Sequence, residues 1–140
     1  MKKETHLLFI CKYNRFRSRV AEAYFKKINK NPKIKAKSAG VFVGSYPLSQ
    51  TQVRVAKSFG ININGKPEPI TTQKLIWQDI LVVVADNIPR SLFDFNVKRY
   101  HKKNVFLNVK DTTSGNDVKQ DMRVIKEIIS KIDNFYETLK

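Results

Sequence analysis

Apolar positions along the 140-residue chain fall into short continuous runs that alternate with stretches of helical period. Thr5–Cys11 is an apolar run of the right length for a buried strand. The period then changes, and Val20, Ala21, Tyr24, Phe25 and Ile28 share one face of a helix from Ser18 to Ile28. "KIKAKSAG" alternates Ile34, Ala36 and Ser38 against lysines, a second strand that ends in a turn at Gly40. Ser49 and Gln52 have the spacing of a capping box and Gly60 is a helix stop, so the helix between them turns Val55, Ala56 and Phe59 inward. Thr71 caps a short helix through Trp77. Ile80–Ala85 is continuously apolar and β-branched, a third strand closed by Asp86-Asn87. Asn87 followed by Pro89 starts another helix, and Asn104–Val109 is the fourth strand. Val118, Met122, Ile125, Ile129, Ile132, Tyr136 and Leu139 recur at steps of four and three. Three heptads are short for a coiled coil, so this stripe reads as a helix packed on a sheet.

Strands alternating with helices predict an α/β fold, a parallel sheet covered by helices on both faces. No repeat, low-complexity tract or linker interrupts residues 1–140, which read as one domain. In such sheets, ligands sit beyond the carboxyl ends of the strands. Cys11, Ser38–Gly40, Asp86 and Asp111 follow the four strands in turn and are expected along one edge.

Composition narrows the chemistry. A hydrophobic content of 41%, with nine Phe and five Tyr, is enough for a packed core. A single cysteine excludes an internal disulfide and any multi-cysteine metal site. His6 and His101 are far apart without ligand spacing, so no metal and no cofactor is expected; both read as structural or surface residues, and Trp77 as core packing. The apolar run of "MKKETHLLFICK" is too short for a signal peptide, and no segment is long enough to span a bilayer. The expectation is a cytoplasmic protein with a reduced thiol and no membrane partner. Lys and Arg number 27 against 12 Asp and Glu, a net charge of +15. That field draws nucleic acid, acidic proteins or phosphorylated ligands. The lysines are scattered rather than gathered in a tail, so a merely solvated basic surface fits equally well.

The stretch "LLFICKYNRFRSRVAEAYF" concentrates the candidate chemistry. A lone cysteine at a strand end is commonly a small buried hydrophobe. Here the segment Lys12–Phe16 joins that strand to a helix start near Arg17. Such a loop can aim several backbone N–H groups at one point, and the helix adds its positive dipole end. Arg17 can offer a planar fork to two phosphate oxygens. The same field favours the thiolate of Cys11, and Ser18 can hydrogen-bond the sulfur. Asn14 tolerates the left-handed backbone that a sharp bend requires.

"FICKYNRFRSRVAE" resembles the nucleophile loop of the low-molecular-weight protein tyrosine phosphatases, V-C-x-G-N-x-C-R-S-P-x-A-E. The similarity continues through "SAG" at Ser38–Gly40, "FGI" at Phe59–Ile61, "IT" at Ile70-Thr71 and "DILVVVADN", and so covers Thr5 to Leu139. The resemblance implies a three-layer sandwich on a four-stranded parallel sheet in the order 2-1-3-4. It also implies a phosphomonoester hydrolase acting through a cysteinyl-phosphate. Cys11 aligns with the nucleophile, Arg17 with the phosphate-binding arginine, and Ser18 with the residue supporting the thiolate. Asn14 and Ser38 align with the groups that hold the loop in shape, and Lys12, Tyr13, Arg15 and Phe16 complete the substrate-binding loop. The general acid lies after the fourth strand, where "KDTTSG" puts Asp111. Asp86 is the reserve candidate, and either Asp can also serve only as a turn former or helix cap. The implied partner is a phosphorylated protein or small phosphoester, and inorganic phosphate or sulfate should fit the pocket.

The departures from that pattern are specific. Tyr13 stands at a loop glycine and must avoid positive φ. Phe16 replaces a second cysteine, which removes any disulfide with Cys11. Arg19 replaces a proline, and Arg15 adds a cation inside the loop. Thr112 follows the acid where a proline is usual, and the family's substrate-flanking tyrosines are absent; Tyr13, Phe42 or Tyr46 would have to supply an aromatic wall instead. A histidine that helps order the loop is missing near Gly65. Two other readings stay open. An arsenate reductase would need an external thiol, since no further cysteine can relay oxidation. A non-catalytic phosphate- or nucleic-acid-binding module would exploit the charge, but no nucleic-acid signature is present.

Overall fold

A computed structural model of the chain describes residues 4–44, 47–113 and 116–140. Four strands, β1 (Thr5–Cys11), β2 (Ile34–Gly40), β3 (Ile80–Ala85) and β4 (Lys103–Val109), form one parallel sheet in the order β2-β1-β3-β4. The helices are α1 (Arg17–Ile28), α2 (Gln50–Ser58), α3 (Thr72–Trp77), α4 (Asp94–Lys98) and α5 (Val118–Thr138), with a 3-10 turn at Arg90–Phe93. The order and the parallel sense match the sequence expectation.

The sheet divides the core in two. Leu7, Phe9, Val82, Val84, Leu107 and Val109 face α1, α2 and α5 in the larger cluster. Leu8, Ile10, Leu81, Val83 and Ala85 face the opposite way, against Ile88 and Phe93 and the flanks of α3 and α4. Successive strand residues alternate between these layers, which is why β1 and β3 read as unbroken apolar runs. Phe25 of α1 packs on Phe9 at 5.8 Å and edge-on to Tyr136 at 5.6 Å, tying α1 to both the sheet and α5.

Two sequence expectations need correction. The buried face of α5 is Asp121, Val124, Ile125, Ile128, Ile132 and Phe135, whereas Val118 is exposed and Met122, Ile129, Tyr136 and Leu139 lie at its margin. A helix lying on a sheet and two other helices buries a broad arc at 3.6-residue period, so its centre falls away from a heptad seam. The capping box at α2 is half formed. Ser49 accepts from the Gln52 backbone N–H at 3.2 Å, but the Gln52 side chain turns inward instead of reaching back. Thr71 caps α3 as expected, accepting from Lys74 N–H at 3.1 Å.

His6 has a structural place as expected, but Trp77 is half-buried and belongs to neither core cluster. Their rings stack at 4.3 Å with 6° between planes, and His6 Nδ1 lies 2.8 Å from the Trp77 carbonyl.

Candidate active site

β1 delivers Cys11 to the carboxyl edge of the sheet, and residues 12–16 turn there into α1. Asn14 makes the bend at φ 53°; Tyr13 is not among the positive-φ residues, so its side chain costs no strain there. The bend is also built from outside. Gly40, paired with Cys11 in the sheet, lies so close that a Cβ would sit 2.7 Å from Asn14 N and from Tyr13 C. Val41 and Phe42 then donate their N–H groups to the carbonyls of Cys11 and Lys12, at 3.2 and 2.8 Å. None of the backbone N–H groups of Lys12, Tyr13, Asn14, Phe16 and Arg17 donates to another described residue. At the start of a helix, N–H groups without a protein acceptor are what an oxyanion needs.

A chain of polar side chains holds Cys11. Cys11 Sγ lies 2.9 Å from Ser18 Oγ, and Asn14 Nδ2 donates to Ser18 Oγ at 2.8 Å and to Ser38 Oγ at 3.0 Å. Asn14 Oδ1 accepts from the Glu68 N–H at 2.8 Å, and Ser38 donates to Glu22 Oε1. Asn14, Ser18 and Ser38 are buried, so each bond replaces solvation they have lost. The sequence pointed to Asn14, Ser18 and Ser38, whereas Glu22 and Glu68 were not singled out.

Arg17 is 2% exposed and held on three sides. Nη1 donates to the Val109 carbonyl at 2.8 Å and lies 3.5 Å from Asp86 Oδ1; Nη2 donates to Asn87 Oδ1 at 3.0 Å and Asp111 Oδ2 at 3.3 Å. The partners come from the ends of β3 and β4, so both candidate acids do meet at Arg17. They differ in outlook: Asp111 lines the cavity over Cys11 and Asp86 does not. Thr112 N–H fixes Asp111 Oδ1 at 2.8 Å.

The cavity, of about 370 Å³, is walled by Tyr13, Arg15, Phe16 and the 47–49 segment. Phe16 belongs at the same time to the main core, and Arg15 Nη2 donates to the Pro47 carbonyl at 2.6 Å. Tyr13 and Phe42 are exposed, and Lys12 lies 5.4 Å from the Tyr13 ring. Tyr46 lies outside the described residues. Asn14 and Ser18 turn into the scaffold rather than the cavity. At its far wall Gln52 Nε2 reaches Asp121 Oδ1 at 3.3 Å and Thr112 Oγ1 at 3.5 Å. Asp121 is fully buried with Oδ2 unbonded among the described residues, and that burial raises its carboxyl above the usual range. Among the described residues no cluster of His, Cys, Asp and Glu could hold a metal.

A cysteine, an arginine and an aspartate around a helix-start loop at the carboxyl edge of a parallel sheet define a phosphate-handling α/β protein. The family model for "Low molecular weight phosphotyrosine protein phosphatase" matches residues 6–139. The chain belongs to that family of phosphatases. A protein tyrosine phosphatase structure from Entamoeba histolytica, with Hepes in the active site, superposes with a TM-score of 0.83 at 25% identity, covering 97% of each chain. A low-molecular-weight protein tyrosine phosphatase from T. tengcongensis gives 0.78 at 26%, covering 96% of this chain and 99% of that one. A mutant of YwlE from Bacillus subtilis gives 0.83 at 21%, covering 97% and 99%. A comparison with curated proteins finds no match. Among the described residues, no helix is long and apolar enough to cross a membrane.

Proposed function

We propose that the protein hydrolyses phosphomonoesters, with phosphotyrosine as its substrate class, through a phosphate bound at residues 12–17. One observation carries this reading: Cys11, the open loop amides, Arg17 and Asp111 border a single cavity. The substrate phosphate displaces Asp111 from Arg17 and takes the guanidinium fork itself. Cys11 thiolate attacks phosphorus in line, the phosphorus–oxygen bond to the leaving group breaks, and Asp111 gives that oxygen its proton. Water then attacks phosphorus, Asp111 takes its proton, and the sulfur–phosphorus bond breaks. Arg17 and the amides stabilise the equatorial oxygens throughout. Ser18, Asn14 and Ser38 hold the sulfur and loop in place, and Lys12, Tyr13, Arg15 and Phe16 contact the substrate or shape its entry. A reduced lone thiol fits a cytoplasmic location.

The test is hydrolysis of para-nitrophenyl phosphate and of phosphotyrosine, phosphoarginine and alkyl esters. Cys11→Ser should abolish turnover while inorganic phosphate still binds. Asp111→Asn should slow poor leaving groups by roughly 10²- to 10⁴-fold, and Asp86→Asn far less. Native-rate turnover by Cys11→Ser would overturn the assignment; a larger loss in Asp86→Asn would exchange the two acids. An arsenate reductase using an external thiol would instead show arsenate-dependent oxidation of that thiol.

A further inference from the structure

A second cleft of about 470 Å³ also touches the loop, at Asn14, and shares no lining residue with the candidate active-site cavity. Five cations line it, Arg19, Lys26, Lys37, Lys66 and Lys74, against two carboxylates, Glu22 and Glu68. So many cations around one concavity leave an excess of positive charge where a neutral cleft would need balance. Its carboxylates are engaged at the cleft wall: Lys26 pairs with Glu22 at 2.6 Å and Lys74 with Glu68 at 2.9 Å. Arg19 spends its guanidinium on the carbonyls of Ile63 and Lys66, and Lys37 rests over the Trp77 ring at 4.4 Å.

Both carboxylate residues also prop the catalytic loop. Glu22 Oε1 accepts from Ser38, which bonds Asn14, which bonds Ser18 beside Cys11. The Glu68 N–H holds the other end of the Asn14 amide. An anion that draws Lys26 away leaves the Glu22 carboxylate without its salt-bridge partner and so disturbs the Glu22–Ser38–Asn14 support of the loop, whereas Glu68 holds Asn14 through its backbone N–H.

We infer that this cleft is a second, regulatory anion site for a polyphosphate chain, whether inorganic or the tail of a nucleotide. Several cations spread around one concavity match a ligand carrying several linked charges better than a single phosphate. Binding here stands apart from the hydrolytic reading; its coupling to the loop rests on the loop's holding phosphate.

The experiment uses Trp77, the sole tryptophan, as the reporter beneath Lys37. Sodium tripolyphosphate is titrated into the protein while Trp77 fluorescence is followed, with ATP and adenosine as parallel ligands. A saturable change is expected with tripolyphosphate and ATP and none with adenosine; tighter binding of ATP would identify the nucleotide as the source, and equal binding the shared phosphate chain. The double variant Lys37→Gln/Lys66→Gln should bind about tenfold more weakly or worse. Lys98→Gln, remote on α4, should bind unchanged and so separates the cleft from diffuse charge. Because coupling is reciprocal, saturating orthophosphate should weaken tripolyphosphate by a limited factor, about fivefold. Undiminished affinity in the double variant overturns the site. Displacement by orthophosphate that grows without limit does so too, because it places both anions in the Cys11 pocket. If orthophosphate binds the protein but leaves tripolyphosphate affinity unchanged, the coupling fails. If no orthophosphate binds at all, the hydrolytic reading fails while the cleft is judged on its variants.

Discussion

Replacing Asn14 by alanine tests how the loop after Cys11 is held. The Asn14 amide makes three hydrogen bonds, to Ser18, Ser38 and the Glu68 N–H, from a side chain that is 1% exposed. At roughly 1 kcal/mol net each, their loss costs about 3 kcal/mol. Alanine must also keep φ at 53°, where asparagine is tolerated and alanine is not, which adds about 1 kcal/mol. A total near 4 kcal/mol is a large part of the roughly 7–20 kcal/mol expected for a chain of this length. With an unfolding entropy of about 0.3 kcal/mol/K for this length, it lowers Tm by roughly 13 °C. Asn14→Gly loses the same bonds but accepts the left-handed backbone, so it should be less destabilised than alanine by about 1 kcal/mol. Thermal unfolding by circular dichroism, with urea midpoints on the same three proteins, measures both differences. A Tm for Asn14→Ala within about 3 °C of the parent would refute the reasoning. So would a glycine variant less stable than the alanine one.

Gly40→Ala places a Cβ 2.7 Å from the loop backbone, so the loop must move rather than a flexible side chain, at about 1–3 kcal/mol. Orthophosphate affinity and turnover should both fall, and turnover at the parent rate would contradict the close packing. Asp121 has its carboxyl raised by burial, so the folded state holds that proton more tightly than the unfolded chain. Its burial therefore costs nothing below the unfolded value near 4, and the cost grows as pH rises through the range up to the folded value. Relative to the parent, Asp121→Asn should gain stability as pH rises above about 4, because it has no charge to bury; urea midpoints that stay parallel as pH rises from there would sink the idea.

Much of this architecture was legible in the amino-acid order because it is local. β1 and β3 announce themselves as unbroken apolar runs since both faces of the sheet are covered. Cys11, Asn14, Arg17 and Ser18 are neighbours in the chain, so the strand–loop–helix junction that carries them is visible within that one segment. Asp86 and Asp111 could be assigned to the same edge because parallel strands all finish at the same side.

What joins those pieces was not legible. Arg17 is positioned by Asn87, Val109 and Asp111, separated from it by 70, 92 and 94 residues. Only the crossovers that set β3 and β4 beside β1 bring those atoms within hydrogen-bonding distance. Which aspartate looks into the cavity, why the Gln52 side chain abandons its cap for Asp121, and how Glu22 and Glu68 come to brace Asn14 are likewise settled by packing. Periodicity records which face of an element loses water. It does not record which residue from a distant element fills the space opposite, and at this loop that choice of neighbours sets both the geometry and the charge.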